Sequence, residues 1–258
     1  MAGFTRNPQL EPNSKSMKET KLTLFVAVLA AALFGVGCAS TEPAFVASDG
    51  LVAYYPFNGN PMDATGNGHN GELKGASLTI DRHGEPNRSF KFDGIDDLIE
   101  IAHQESLNIP DGGLTLSAWM NTENRTGQII TKGNGGRDNY DWHIQLFKDG
   151  GLDYAWRTKP SEHRGVIVAA GSYKQNKWQQ IVVSHQSGSI VNVYVDGVVV
   201  HESTDDKGRA TWGDNIRIGA SGHGGFFKGE IDDVRIYNRA LSTEEVKALY
   251  DLEKPKVR

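Results

Sequence analysis

Two neighbouring carboxylates, Asp232 and Asp233, stand in the stretch Phe226–Ser242. There Val234 and Ile236 alternate with Asp233, Arg235 and Tyr237 at the period of a strand with one buried face. A carboxylate beside a core strand needs a cation or several N–H donors. A second oxygen-rich stretch is Asn58-Gly59-Asn60-Pro61-Met62-Asp63-Ala64-Thr65-Gly66-Asn67-Gly68-His69-Asn70-Gly71. Gly, Asn and Asp tolerate left-handed backbone and form Asx turns, so such a loop can gather carbonyl and side-chain oxygens in one small volume. Calcium takes ligands of that kind, six to eight of them at about 2.3–2.6 Å. Spacing alone favours a plain structural turn, and no EF-hand spacing is present.

A third group of residues could bind a sugar. Trp142, Ile144 and Leu146 share one face of a strand, as do Leu152, Tyr154 and Trp156 of the next; His143, Gln145, Asp153 and Arg157 point the other way. Pyranose rings are often held by an aromatic platform and planar polar groups. Tyr140, Trp142, Tyr154, Trp156 and Trp212 could supply the first, the polar set the second. If the aromatic face is core, the polar face is the exposed one and the better ligand candidate. The candidate ligand-binding residues are Tyr140, His143, Gln145, Asp153, Arg157 and Trp212. Other chemistry is missing. Lys132-Gly133-Asn134-Gly135-Gly136 lacks the Lys-Ser/Thr of a phosphate loop. Gly219-Ala220-Ser221-Gly222-His223 lacks the last Gly of a nucleophile elbow, no His-Glu-x-x-His occurs, and the eight His are scattered.

The elements that must position these groups read as strands. Leu51–Phe57 is the first, and Phe90–Ile101 reads as a hairpin turning at Asp93-Gly94. Leu114–Met120 follows, with Trp119 expected in the core. Trp142–Phe147 and Leu152–Arg157 are joined through Lys148–Gly151. Lys177–His185 and Ile190–Val200 come next, the second run split by Asp196-Gly197, a type I′ turn signal. The closing strand leads to a short helix through Tyr250. Ser242 and Glu245 have capping-box spacing, and Leu241 and Val246 that of a hydrophobic staple.

At the N-terminus, Leu22–Phe34 is an apolar run of 13 residues, shorter than the about 20 that a spanning helix needs, and fits a signal-peptide core. Gly35-Val36-Gly37-Cys38-Ala39 resembles a bacterial lipobox, with Cys38 lipidated; Gly35 stands where Leu is usual. An ordinary secretory signal with a chance Cys is the alternative. Ala39 resembles sorting to the outer membrane, and Met17 is a second candidate start. Cys38 is the one Cys of the 258 residues, so an exported domain must stand without disulfides. The whole chain carries a formal charge of −5, and residues 1–38 hold four basic and two acidic residues, so the rest carries −7. An acidic domain argues against nucleic acid as a partner.

Several of these stretches resemble one family. Gly229-Glu230-Ile231-Asp232-Asp233-Val234-Arg235-Ile236-Tyr237-Asn238-Arg239-Ala240-Leu241-Ser242 looks like the closing signature of laminin-G-like, concanavalin A-like jelly rolls. Asp63, Gly66, Asn67 and Gly71 match the family's opening loop, Phe92-Asp93-Gly94-Ile95-Asp96-Asp97 its Phe-Asp-Gly segment, and Trp178 with Tyr194–Gly197 its paired strands. The resemblance implies an all-β jelly-roll sandwich of two antiparallel sheets with a short C-terminal helix. It also implies a structural Ca²⁺ held by Asp63, Asn67 and Asp232. Glu230-Ile231-Asp232 is similar to the start of a glycosidase strand, Glu-x-Asp-x-x-Glu, but the second Glu position is Arg235, and an Arg is no general acid. The expected organisation is a leader and lipoprotein-type signal peptide (1–38), a tether (39–49), the jelly roll (50–252) and a tail (253–258). The expected function is non-catalytic glycan binding at the cell envelope, reached through a lipid anchor only. A structural or adhesion protein contacting another protein is the alternative, and a glycoside hydrolase the third.

Overall fold

The computed structural model describes residues 48–109, 112–123, 126–133, 140–159 and 162–255. The chain divides into units 1–40 and 41–258, and all described residues belong to the second. The leader, Cys38 and most of the tether lie outside the described residues.

Fifteen strands are present among the described residues: β1 (Leu51–Tyr55), β2 (Gly71–Lys74), β3 (Ser77–Thr79), β4 (Ser89–Asp93), β5 (Leu98–Ile101), β6 (Gly113–Thr122), β7 (Gly127–Gly133), β8 (Tyr140–Leu146), β9 (Leu152–Lys159), β10 (Glu162–Val168), β11 (Gln179–Gln186), β12 (Ile190–Val195), β13 (Val198–Thr204), β14 (Ile216–Ile218) and β15 (Lys228–Tyr237). They form two antiparallel sheets. One runs β13-β12-β11-β6-β15-β4-β3, with β1 also on β15; the other runs β10-β9-β8-β7-β14-β5-β2. This is the expected jelly-roll sandwich.

Alternation builds the core. Leu114, Leu116, Ala118 and Met120 of β6 face Trp142, Ile144, Leu146, Leu152, Tyr154 and Trp156 of the other sheet in one apolar cluster. The opposite face of the first sheet is covered by α1 (Thr243–Glu253), whose Val246 and Leu249 pack with Val182, Tyr194, Tyr237 and Leu241. Ser242 caps α1 as its sequence predicts. Its Oγ accepts from Glu245 N, and Glu245 Oε2 accepts from Ser242 N at 2.8 Å. Asp196 and Gly197 sit at φ 52° and 73°, the left-handed pair that a type I′ turn requires, and β12 pairs with β13 across it.

Three expectations change. Phe90–Ile101 is no hairpin: β4 pairs with β15 and β3, while β5 pairs with β14 and β2 in the other sheet. The Asp93–Asp97 turn carries the chain across the sandwich, so Phe90/Phe92 and Ile99/Ile101 enter the same core from opposite sides. Trp119 is buried, but on the helix side of the first sheet, stacked on Tyr250 at 5.8 Å. The helix extends through Glu253, which is buried rather than the start of a tail.

Candidate functional site

The outward face of the second sheet carries the predicted polar set in register. Gln145 lies opposite Asp153 and Asp153 opposite Ile167; His143 lies opposite Ala155 and Ala155 opposite Gly165; Arg157 lies opposite His163. Because Trp142, Ile144, Tyr154 and Trp156 fill the core, these residues point away from it. Tyr140 joins them through a bulge. Gly133 pairs with Tyr140 but Lys132 with Trp142, leaving Asp141 as an extra residue in β8. The bulge turns the Tyr140 ring onto His143 at 4.4 Å and His163 at 4.7 Å.

Burial sorts the predicted residues into two layers. His143 and Arg157 are only 6% and 5% exposed, whereas Tyr140, Gln145, Asp153 and Trp212 are half-buried and reachable. The expectation that the whole polar face is exposed is thus corrected for two of its members. His143 Nε2 lies 3.2 Å from Asp153 Oδ2 and holds that carboxylate. The Arg157 guanidinium stacks on the Trp212 ring at 4.5 Å. Gly165 keeps space beside Asp153, because a Cβ there would come 3.3 Å from Asp153 Oδ1 and 3.2 Å from the Ala155 Cβ.

Behind Trp212 is a charge pair that the sequence reading missed. Lys132 and Asp141 are fully buried and 2.5 Å apart. Lys132 Nζ also donates to Asn108 Oδ1 at 2.9 Å, to Thr211 Oγ1 at 2.8 Å and to the Trp212 carbonyl. Asp141 Oδ2 accepts from Trp212 N at 2.8 Å and Thr211 Oγ1 at 2.6 Å, while Ala210 N donates to the Arg157 carbonyl. Burial pulls the Lys132 ammonium below its usual range, against the opposing pull of Asp141. The loop bearing Trp212 is therefore pinned at three successive residues.

The residues expected to share calcium have other partners. The Asp63 carboxylate accepts from Tyr54 N, Thr65 N and His69 N at 3.0–3.1 Å and from Thr65 Oγ1 at 2.8 Å. Burial raises its pKa, but those bonds outweigh burial and hold the carboxyl below the ordinary carboxylate range. Asn67 Nδ2 donates to the Val52 carbonyl at 2.8 Å. Asp232 pairs with Arg82 Nη1 at 2.5 Å, and its Oδ1 accepts from Asp233 N. These donor sets do not fit one shared ion: the loop carboxylate closes its own turn, and the strand carboxylate already has a cation. Among the described residues, Asp93, Asp96 and Asp97 also bring three carboxylates close together, in the turn between the sheets. There Asp93 Oδ1 accepts from Ile95 N, and Asp97 Oδ2 from Asp93 N.

A family model for the concanavalin A-like lectin/glucanases superfamily matches residues 93–247. The chain belongs to this superfamily. Solved structures repeat the jelly roll of this chain. The binding domain of Paraclostridial Mosquitocidal Protein 1 is 20% identical with a TM-score of 0.65, covering 79% of this chain and 52% of that one. The botulinum neurotoxin serotype D ligand binding domain, solved with N-acetylneuraminic acid, is 16% identical with a TM-score of 0.63, covering 81% and 52%. The receptor binding domain of the botulinum neurotoxin C/D mosaic serotype is 14% identical with a TM-score of 0.61, covering 80% and 52%. The chain spans about half the length of these structures, and the likeness is one of fold. A search of curated proteins gives no match.

Within the superfamily's glucanase pattern, the strand bearing Glu230 is β15. Glu230 lies opposite Lys91 and Asn121, and its Oε2 accepts from Asn121 Nδ2 at 2.8 Å. Asp232, two residues on, is bound by Arg82, and Arg235 is ion-paired with Glu253. Retaining hydrolysis needs a second carboxyl about 5–5.5 Å from the first. The carboxylates following Glu230 on this strand are engaged by guanidinium groups instead.

Proposed function

We propose that this chain is a non-catalytic binding module whose ligand is a glycan, held on the outward face of β8, β9 and β10. The observation that carries this reading is the pair of half-buried aromatic rings, Tyr140 against His143 and Trp212 against Arg157, on the strand pair that also presents Gln145 and Asp153. Rings of that kind offer an apolar face to a pyranose, and an amide and a carboxylate accept or donate to its hydroxyls. Both rings are braced from behind, Trp212 by Arg157 and Tyr140 by His143 and His163, so little order is lost on binding. A fold neighbour solved with N-acetylneuraminic acid adds support for a sugar ligand. The module is exported and anchored to the cell envelope through a lipid on Cys38, and Cys38→Ser releases it from the membrane fraction.

The test is a glycan array read with wild type, Trp212→Ala and Asp153→Ala. A signal lost in both variants, with melting temperature kept, supports the reading. Retention of the signal in both, or binding of one envelope protein with no glycan signal, refutes it. Release of sugar from a bound β-glucan, abolished by Glu230→Gln, would overturn the non-catalytic assignment.

A further inference from the structure

Arg82 sits in the loop after β3, yet its side chain is only 4% exposed. Its guanidinium joins three distant segments. Nη1 meets Asp232 Oδ2 at 2.5 Å and Nη2 meets Asp233 Oδ2 at 2.6 Å, both on β15. Nε donates to the Glu253 carbonyl at 2.9 Å, at the end of α1, and the guanidinium plane lies 4.7 Å from the Trp119 ring centre. The same buried cluster contains Arg235, paired with Glu253 and 3.5 Å from Asp233 Oδ1, and Tyr54, whose hydroxyl donates to Asp233. Asp232, Asp233 and Glu253 thus face two guanidinium groups. Asp233 itself holds φ 46°, where β15 breaks register with β6 between Asp232 and Arg235. The bulge lets consecutive carboxylates reach one fork, which alternating strand positions would not.

We infer that Arg82 is the built-in cation of the closing strand: its guanidinium does the work expected of a calcium ion, and the fold is metal-independent at this place. A planar fork with five N–H donors can bridge two carboxylates and a carbonyl at once, which a lysine could not. Taking it away leaves Asp232 and Asp233 beside a cavity of about 180 Å³ that is also lined by Asp81, His83, Asn58 and Arg88, with Arg88 donating to Asn58 Oδ1. Asp232, Asp233 and Asp81 then present carboxylate oxygens of the type Ca²⁺ accepts, with the exposed Arg88 as the one guanidinium left in that lining, so loss of Arg82 converts a metal-free joint into a calcium-dependent one.

The experiment is a thermal melt of wild type, Arg82→Ala and Arg82→Lys in EDTA, in calcium and in magnesium. Wild type is expected to melt at one temperature in all three. Arg82→Ala is expected to melt lower in EDTA and to recover in calcium, because a hundredfold excess over Kd raises its folded-to-unfolded ratio about a hundredfold. Magnesium should restore it poorly, since its octahedral shell is tighter. Arg82→Lys should lose stability and stay indifferent to calcium. If Arg82→Ala does not fold, Arg82→Ala/Asp232→Asn should fold, because one buried charge has been removed with its partner. A wild-type melt lowered by EDTA, an Arg82→Ala melt that calcium leaves unchanged, or a double variant that still cannot fold would each overturn the inference.

Discussion

Mild acid should destabilise the domain through His185. This residue is on β11 and points into the sandwich, with its ring 4.7 Å from Trp156 and 5.7 Å from Tyr154 of the opposite sheet. It is fully buried and fully bonded: the Tyr154 hydroxyl lies 2.9 Å from Nδ1 and Asp205 Oδ2 lies 2.9 Å from Nε2. The neutral Nε2–H tautomer satisfies both, donating to Asp205 and accepting from Tyr154. Asp205 is held in turn by the N–H groups of Gly188, Lys207 and Gly208. Burial first, and Arg209 second, push the imidazole from 6.5 down to about 4, against the opposing pull of Asp205. A base with a depressed folded pKa stabilises the fold above its unfolded value, and that stability is lost as pH falls from 6.5 toward 4. The whole shift corresponds to about 3 kcal/mol, at about 1.4 kcal/mol per pH unit inside that window.

The assay is urea unfolding at half-unit steps from pH 7 to pH 4, for wild type and for His185→Gln. Subtraction is necessary because another group works in the opposite sense. Burial and the Asp233 charge push Asp232 upward against the pull of Arg82, so its contribution is lost as pH rises rather than as it falls. That term is common to both proteins and cancels in the difference. The wild-type advantage over His185→Gln should shrink by about 3 kcal/mol between pH 6.5 and 4. A difference curve flat across this window would refute the reasoning, since it would mean that the imidazole charges as readily inside the sandwich as in water.

Two further variants test single joints. Asp63→Ala strips an acceptor from three backbone N–H groups and a hydroxyl, and should cost about 3 kcal/mol in chemical denaturation with no dependence on added calcium. Lys132→Met should cost about 3–5 kcal/mol by leaving Asp141 buried and charged without its cation, and Lys132→Met/Asp141→Asn should regain part of it; equal losses in the two would show that charge is not the cause.

The sequence by itself determined the architecture and most of its local punctuation. Alternation in Leu114–Met120, Trp142–Phe147 and Lys177–His185 set the buried faces. Asp196-Gly197 specified its turn, and Ser242 with Glu245 specified the helix start. These are signals between residues close in the chain, where period and backbone preference act directly. It also narrowed the candidate site to β8 and β9, but left open which of their two faces was core. What it could not contain was partnership across distance. Asp232 was legible as a carboxylate in need of a cation, but its partner, Arg82, is 150 residues away in the chain. Nothing local marks that arginine as different from any other. The bulge at Asp141, which moves Tyr140 onto the outward face, depends on pairing with β7, and His163 enters only through its register with Arg157. Whether Asp93-Gly94 closes a hairpin or carries the chain between sheets was equally undecided by its residues, since both give two short alternating strands. Tertiary structure settled these points because a buried charge takes whichever counter-charge the fold brings within reach, and reach is a property of the packed sheets.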